Sequence, residues 1–180
     1  MVNSNESEPQ RQFFVVGVQT YLDVRDAITE FERQVKERCI NVAQKRLAEI
    51  ANASGTGFWQ DLKPTDYEYT TKSGRRIGAK LPDSGAARLR FCLELRRDAV
   101  APRALVFLAR KGDVAAELWA KKLAIDEQAG DLQCDDRHLY FGHDLSEEQI
   151  VQFDKYLNDS ISQFIKFVQQ AGPLTNYFSE

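Results

Sequence analysis

The stretch RLRFCLELRRD, residues 88–98, alternates between charged and apolar side chains at nearly every step. An alternation with a period of two predicts a β-strand whose two faces meet different surroundings. The apolar side chains predict a face turned to a hydrophobic core: Leu89, Phe91, Leu93 and Leu95. The charged side chains predict a second face that is either wetted by solvent or used for binding: Arg88, Arg90, Glu94 and Arg96.

The sequence on both sides of this strand predicts further strands. Residues 66–81 alternate around a Lys-Ser-Gly turn, which predicts a hairpin with two tyrosines facing two apolar residues, Tyr67 and Tyr69 opposite Ile77 and Ala79. Residues 103–112 are apolar almost throughout, which predicts a central strand covered on both faces. One more strand is expected near residues 138–141, and the aromatic and β-branched run FFVVGVQTY, residues 13–21, predicts a buried strand that starts the sheet.

Three other segments have the apolar spacing of helices. Residues 23–52 repeat apolar side chains every three or four positions, and the NASGTG stretch predicts the end of this long helix. Residues 113–130 predict a shorter helix, and residues 146–172 a second long one, started by Ser146 with Gln149 and stopped by Gly172 and Pro173. The fold class predicted is α+β, with a mainly antiparallel sheet of about five to six strands and the two long helices and one shorter helix packed largely on one face.

Length and composition predict one soluble domain. A chain of 180 residues suits a single α+β domain over residues 12–172, between a disordered tail at 1–11 and a C-terminal tail at 173–180. The net charge of −3 gives no general electrostatic footprint for nucleic acid. The polar start has no signal-peptide pattern, no apolar run is long enough to span a membrane, and the three cysteines form no CxxC pair. These features predict a cytoplasmic protein.

The charged strand face is the candidate binding site. The predicted ligand- or partner-binding residues are Arg75, Arg76, Arg88, Arg90, Glu94 and Arg96, with Lys80 contributing to the same cationic surface. Guanidinium groups bind carboxylates and phosphates in a bidentate way, so an open face of this kind predicts a non-catalytic binding or adaptor module for an acidic partner or an anionic ligand. In the alternative interpretation the face is merely solvated, and its charges pair across strands with Asp66, Glu68 and Glu94.

A second hypothesis is enzymatic. The predicted order of helix, three strands, helix and strand, with Asp83 and Glu94, resembles the core of the PD-(D/E)xK nuclease superfamily. The resemblance implies a divalent metal held by the Asp and the Glu, with a lysine two residues on assisting the attacking water. Arg96 occupies the lysine position here, and its guanidinium does not accept a proton, so the resemblance implies a degenerate nuclease. A nucleic-acid-associated accessory domain is a third hypothesis.

The remaining candidate sites favour structural roles. Cys134, Asp136 and His138 are spaced for one strand face, but no second cluster supplies further ligands, and no metal, cofactor or catalytic residue is predicted. Cys92 lies beside Glu94, which is expected to raise its thiol pKa. The pattern favours a protein or an anionic ligand over a small-molecule substrate, with no membrane and with nucleic acid as an alternative. The apolar Leu174, Tyr177 and Phe178 are expected to fold back or to form a homodimer contact.

Overall fold

The computed structural model describes residues 8–55, 59, 62–84, 87–110, 132–134 and 138–174, and of Glu8, Arg110 and residues 132–134 it describes the backbone alone. The helix predicted at 113–130 and the residues Asp136, Tyr177 and Phe178 lie outside this part of the chain. The chain divides into two compact units, Met1–Gln34 and Val35–Glu180. The limits of the single domain at 12–172 stay a prediction.

The described part of the first unit is helical. Helix α1 (Glu8–Ser54) runs through the whole FFVVGVQTY stretch, so the buried strand predicted there is wrong. A short apolar run cannot be assigned to strand or helix by composition alone, because local preferences for either are weak. The apolar side chains of this stretch are also exposed rather than buried.

The described residues of the second unit contain one antiparallel sheet of six strands. These are β1 (Thr65–Thr70), β2 (Gly74–Lys80), β3 (Ala87–Arg96), β4 (Arg103–Arg110), β5 (Leu132–Cys134) and β6 (His138–Asp144). Their order across the sheet is β1-β2-β3-β4-β6-β5, and every neighbouring pair is antiparallel. Short helix α2 (Glu147–Ile150) and long helix α3 (Phe153–Ala171) follow. The predicted α+β class is therefore confirmed, as is the strand near 138–141.

Helices cover one face of the sheet, called here the helix face. Its core joins buried side chains of the sheet, such as Phe91 and Val106, to Cys39 and Val42 of α1 and Phe164 of α3. The apolar spacing of both helices explains this packing, since it gives each a single stripe of buried side chains. Among the described helices, none is both long and apolar enough to cross a membrane.

Both ends of the helical layer are fixed by specific contacts. Helix α1 ends at Ser54 and is followed by Gly55 with a φ of 97°, the left-handed conformation that glycine adopts most readily. The buried Leu174 donates its backbone N–H to the carbonyl of Ser54 at 3.0 Å. The long helix predicted at 146–172 starts as expected, because the N–H of Ser146 donates to Oε1 of Gln149 at 2.9 Å. It is not continuous, because α2 ends at Ile150 and α3 begins at Phe153, so the prediction of a single helix is wrong there.

The register of the β1–β2 hairpin differs from the prediction by one residue. Tyr67 lies opposite Gly78 and Tyr69 opposite Arg76, whereas Ile77 lies opposite Glu68. Four residues connect the cross-strand pair Thr70 and Arg75, instead of the three-residue turn expected. A shift of one residue exchanges the two faces of a strand, so both tyrosines lie on the face opposite the helices.

The packing of α3 on the sheet predicts the effect of a core truncation. Phe164 is fully buried and meets the ring of Phe141 edge to face at 5.7 Å between ring centres. We expect Phe164→Ala to lower the free energy of unfolding by about 3–5 kcal/mol, because it removes buried surface and leaves a cavity. Urea unfolding measures this change. Lys166→Ala, at an exposed position of the same helix, should change it by less than about 0.5 kcal/mol, and equal losses would contradict the packing.

Candidate functional site

The face of the sheet opposite the helices is called here the arginine face. Strand alternation and the pairing register place on it the side chains of Arg76 and Lys80 from β2, and Arg88, Arg90, Glu94 and Arg96 from β3. Arg103 of β4 lies directly opposite Glu94, and Asp144 of β6 lies opposite Arg103. Five of the six predicted site residues are therefore on one surface.

Arg75 does not belong to this surface. It lies opposite Leu95 and shares the helix face with Ile77. Its guanidinium donates to Glu68, whose other carboxylate oxygen accepts from Lys36 of α1 at 3.0 Å. The hydrogen bonds from Arg75 and Lys36 lower the pKa of Glu68. The prediction that Arg75 lines the arginine face is wrong, because adjacent strand residues point to opposite faces.

The middle of the arginine face is buried, not open. Cys92 and Leu105 are fully buried there, and the guanidinium-bearing Arg90 is only 8% exposed. Cys92 and Leu105 form a second, smaller core with Phe107 and Ala109, and Tyr67 and Tyr140 pack against it. The prediction that this charged face is open to solvent is therefore wrong at its centre. Strand β4 is buried on both faces, as its apolar sequence predicts.

Arg76 packs on this second core. Its Nε donates to Oε1 of Glu94 at 2.7 Å, and its guanidinium lies over the rings of Phe107 at 4.9 Å and Tyr140 at 5.3 Å. Burial lowers the pKa of Arg76, but the Glu94 carboxylate raises it by more, so the guanidinium stays charged. The aromatic rings and the carboxylate together compensate a cation that has lost most of its water.

A cluster of cations lies at one edge of the face, where β2 ends and β3 begins. Asp83, from the loop after β2, accepts from Nε of Arg88 at 3.0 Å and from Nη2 of Arg90 at 2.7 Å. Arg90 also donates to the carbonyls of Leu81 and Leu89 and lies 5.6 Å from the ring centre of Tyr67. Lys80 lies opposite Arg90 in the register. This part of the face, called here the cationic rim, contains three cations, Lys80, Arg88 and Arg90, and the carboxylate of Asp83.

Another ion-pair group lies where β3 ends and β4 begins. Arg96 donates to Asp144 at 3.0 Å, and Nε of Arg103 is 3.7 Å from the same carboxylate oxygen. Arg103 and Asp144 were not among the predicted site residues. The sequence carries no local signal for either residue, because Arg103 begins an apolar strand and the strand pairing alone places it opposite Glu94 and Asp144.

The charge of the arginine face is opposite to that of the chain. Its strand residues and Asp83 carry six cations, namely Arg76, Lys80, Arg88, Arg90, Arg96 and Arg103, and three carboxylates, namely Asp83, Glu94 and Asp144. This part of the structure thus has an excess of three positive charges in a chain whose net charge is −3. Such an excess attracts anionic groups to this side of the sheet.

The residues considered for metal or thiol chemistry lie in ion pairs or in the buried core. Asp83 is bonded to Arg88 and Arg90, and Glu94 to Arg76, so both carboxylates are already neutralised by guanidinium groups. Within the described residues, no three His, Cys, Asp or Glu side chains are placed to hold a metal ion. Burial raises the pKa of Cys92 well above its ordinary value, the charge of Arg76 opposes this shift, and the charge of Glu94 adds a smaller increase.

Comparisons with protein families, curated proteins and solved structures found no match to this chain. The function is therefore inferred from the geometry and charge of the arginine face.

The cationic rim predicts a pH-dependent contribution from Asp83. Burial raises the pKa of this carboxyl, but the hydrogen bonds and charges of Arg90 and Arg88 lower it by more, so the net shift is downward. A lowered folded-state pKa stabilises the fold above the unfolded-state pKa of about 4, and this stabilisation is lost as the pH falls through the folded-state value. We expect Asp83→Asn to cost roughly 1 kcal/mol at pH 7, since the carboxylate is partly solvated.

Urea unfolding at several pH values measures this contribution. The difference between wild type and Asp83→Asn should shrink as the pH falls below about 4, because the wild-type carboxyl then also becomes neutral. Asp66→Asn, at an exposed position of β1, is the matched control and should cost less at pH 7. A difference that is independent of pH would contradict the role of the two ion pairs.

Proposed function

We propose that the protein is a non-catalytic binding module that holds an acidic partner or an anionic ligand at the cationic rim of the arginine face. The observation that carries this proposal is the local charge: Arg88 and Arg90 both donate to the carboxylate of Asp83, and Lys80 lies opposite Arg90 in the register. Two of the three positive charges there are not neutralised by that carboxylate. The rim therefore attracts further carboxylate or phosphate groups.

The exposure of the rim supports the same proposal. The side chain of Arg88 is 38% exposed and that of Asp83 is 43% exposed, in contrast to the buried Arg90. Arg88 and Lys80 can therefore meet an incoming anion, while Arg90 fixes the position of the rim through its bonds to Asp83 and to backbone carbonyls. Arg88 donates to Asp83 through Nε, and its guanidinium has further N–H donors for an incoming anion.

The chemistry of the rim favours a carboxylate-rich protein segment over a small-molecule substrate. The carboxylate of Asp83 already pairs with the guanidinium groups of Arg88 and Arg90. The carboxylates of an acidic segment would add further ion pairs with Lys80 and Arg88. The aromatic rings of Tyr67, which is half-buried, and Tyr69, which is exposed, lie on the same face and offer flanking apolar surface. A segment that combines acidic and apolar side chains matches this surface.

Binding of a fluorescein-labelled hexaglutamate peptide tests the proposal. We expect the double variant Lys80→Glu/Arg88→Glu to weaken binding by about tenfold or more, because attraction at the rim becomes repulsion. The matched control is Lys45→Glu/Arg97→Glu, which makes the same charge change at exposed positions of α1 and after β3. Fluorescence anisotropy gives the affinities, and circular dichroism checks that both variants fold.

Three outcomes would contradict the proposal. The first is that wild type does not bind the peptide at low salt. The second is that the two double variants weaken binding equally, which would assign the effect to net charge alone. The third is that a labelled DNA duplex binds far more tightly than the peptide with a steep salt dependence, which would favour a nucleic-acid accessory domain.

A further inference from the structure

The amino-terminal part of α1 exposes an unusual amount of apolar surface. Nine large apolar side chains between positions 13 and 31 are 42% to 81% exposed: Phe13, Phe14, Val15, Val16, Val18, Tyr21, Val24, Ile28 and Phe31. Taking about 200 Å² for a fully exposed aromatic side chain, the four aromatic residues alone expose roughly 500 Å². That area already reaches the size of the largest apolar patch of a typical monomer, about 300–600 Å².

The apolar side chains follow the spacing of a coiled coil. Phe14, Gly17, Tyr21, Val24, Ile28 and Phe31 are separated by alternating steps of three and four residues, and they are called here the apolar seam. This heptad spacing keeps one stripe of a helix turned toward a neighbouring helix. The occupant that the seam fits is therefore another helix.

Gly17 gives an independent indication that a second helix packs here. Glycine weakens the interior of a helix relative to alanine, so its presence needs a compensating role. A Cβ atom added at Gly17 would meet nothing within 4 Å in this chain. The lack of a side chain at this seam position is explained if another helix approaches the backbone closely.

The charges beside the seam favour a partner that is itself apolar. Arg25 pairs with Asp26 at 2.8 Å and Arg33 pairs with Glu30 at 2.7 Å, both within the same segment. Acidic residues outnumber basic ones by five to three over residues 8–34. Helices that lie on anionic membranes are instead rich in Lys and Arg on their polar side, so the composition disfavours a membrane surface.

We propose that a second copy of this chain packs its apolar seam against the first, forming a helical homodimer. A stable interface buries about 800 Å² on each partner, and the exposed side chains of the seam, with Phe13 and Val18 beside them, supply a large part of that area. Self-association through one shared surface is the commonest form of oligomer. This inference does not depend on the arginine face, because the seam lies in the unit Met1–Gln34.

Sedimentation velocity of the full chain over a wide range of concentration tests the dimer. We expect wild type to sediment as a dimer, and Ile28→Glu to raise its dissociation constant at least about 100-fold, because a carboxylate would be buried unpaired in the interface. Gln19→Glu adds the same charge on the opposite side of the helix, five residues from Phe14, and should leave the dissociation constant unchanged within about threefold.

Gly17→Leu separates association from helix stability. Leucine favours the helix more than glycine does, so a monomeric α1 would gain helical content, whereas a dimer that needs close approach at position 17 would dissociate. We expect a monomer with undiminished circular dichroism. A wild type that is monomeric at every concentration would overturn the proposal, as would an unchanged mass of both seam variants or a monomer that binds phosphatidylcholine–phosphatidylserine vesicles.

Discussion

The charged side chain of Arg76 covers apolar residues at the centre of the arginine face. The guanidinium of Arg76 lies over two aromatic rings and donates to Glu94, and the middle of β3 and the described part of β4 are buried on the arginine face as well as on the helix face. An unpaired cation or carboxylate at this depth would cost several kcal/mol. Because each of the two charges removes the other's penalty, Cys92 and Leu105 can be fully buried beside them. In the proposed account, the surface that remains for binding is the cationic rim, where β2 ends and β3 begins.

This division assigns different tasks to neighbouring arginines. Arg90 is buried and bonded to two carbonyls and to Asp83, so it positions the loop after β2. Arg88, two residues earlier on the same strand face, is partly exposed and can exchange its partner. The sequence of β3 leaves two alternatives for its charged face, which is either solvated or used for binding. In the proposed account the ion pairs build the face, and the surplus of cations at its rim supplies the attraction.

The fold was largely predictable because its signals are periodic. The alternation of residues 88–98 and the three-and-four spacing of 153–168 each describe a single buried stripe, and the structure confirms both elements. Two errors came from choices that periodicity does not make. FFVVGVQTY suits either a strand or a helix, and one residue in the Thr70–Arg75 connection decides which face Tyr67 and Tyr69 occupy. Arg103 was missed because it begins an apolar strand, and only the pairing register places it against Glu94.

We infer that Arg76 and Glu94 stabilise the arginine face as a coupled pair. A double-mutant cycle with Arg76→Met, Glu94→Gln and the double variant, followed by urea unfolding, measures that coupling most directly. We expect each single variant to lose more than half of the unfolding free energy that the double variant loses, because each single variant leaves a buried charge without its partner. The coupling free energy should be above about 1 kcal/mol. Losses that add within about 0.3 kcal/mol would contradict it.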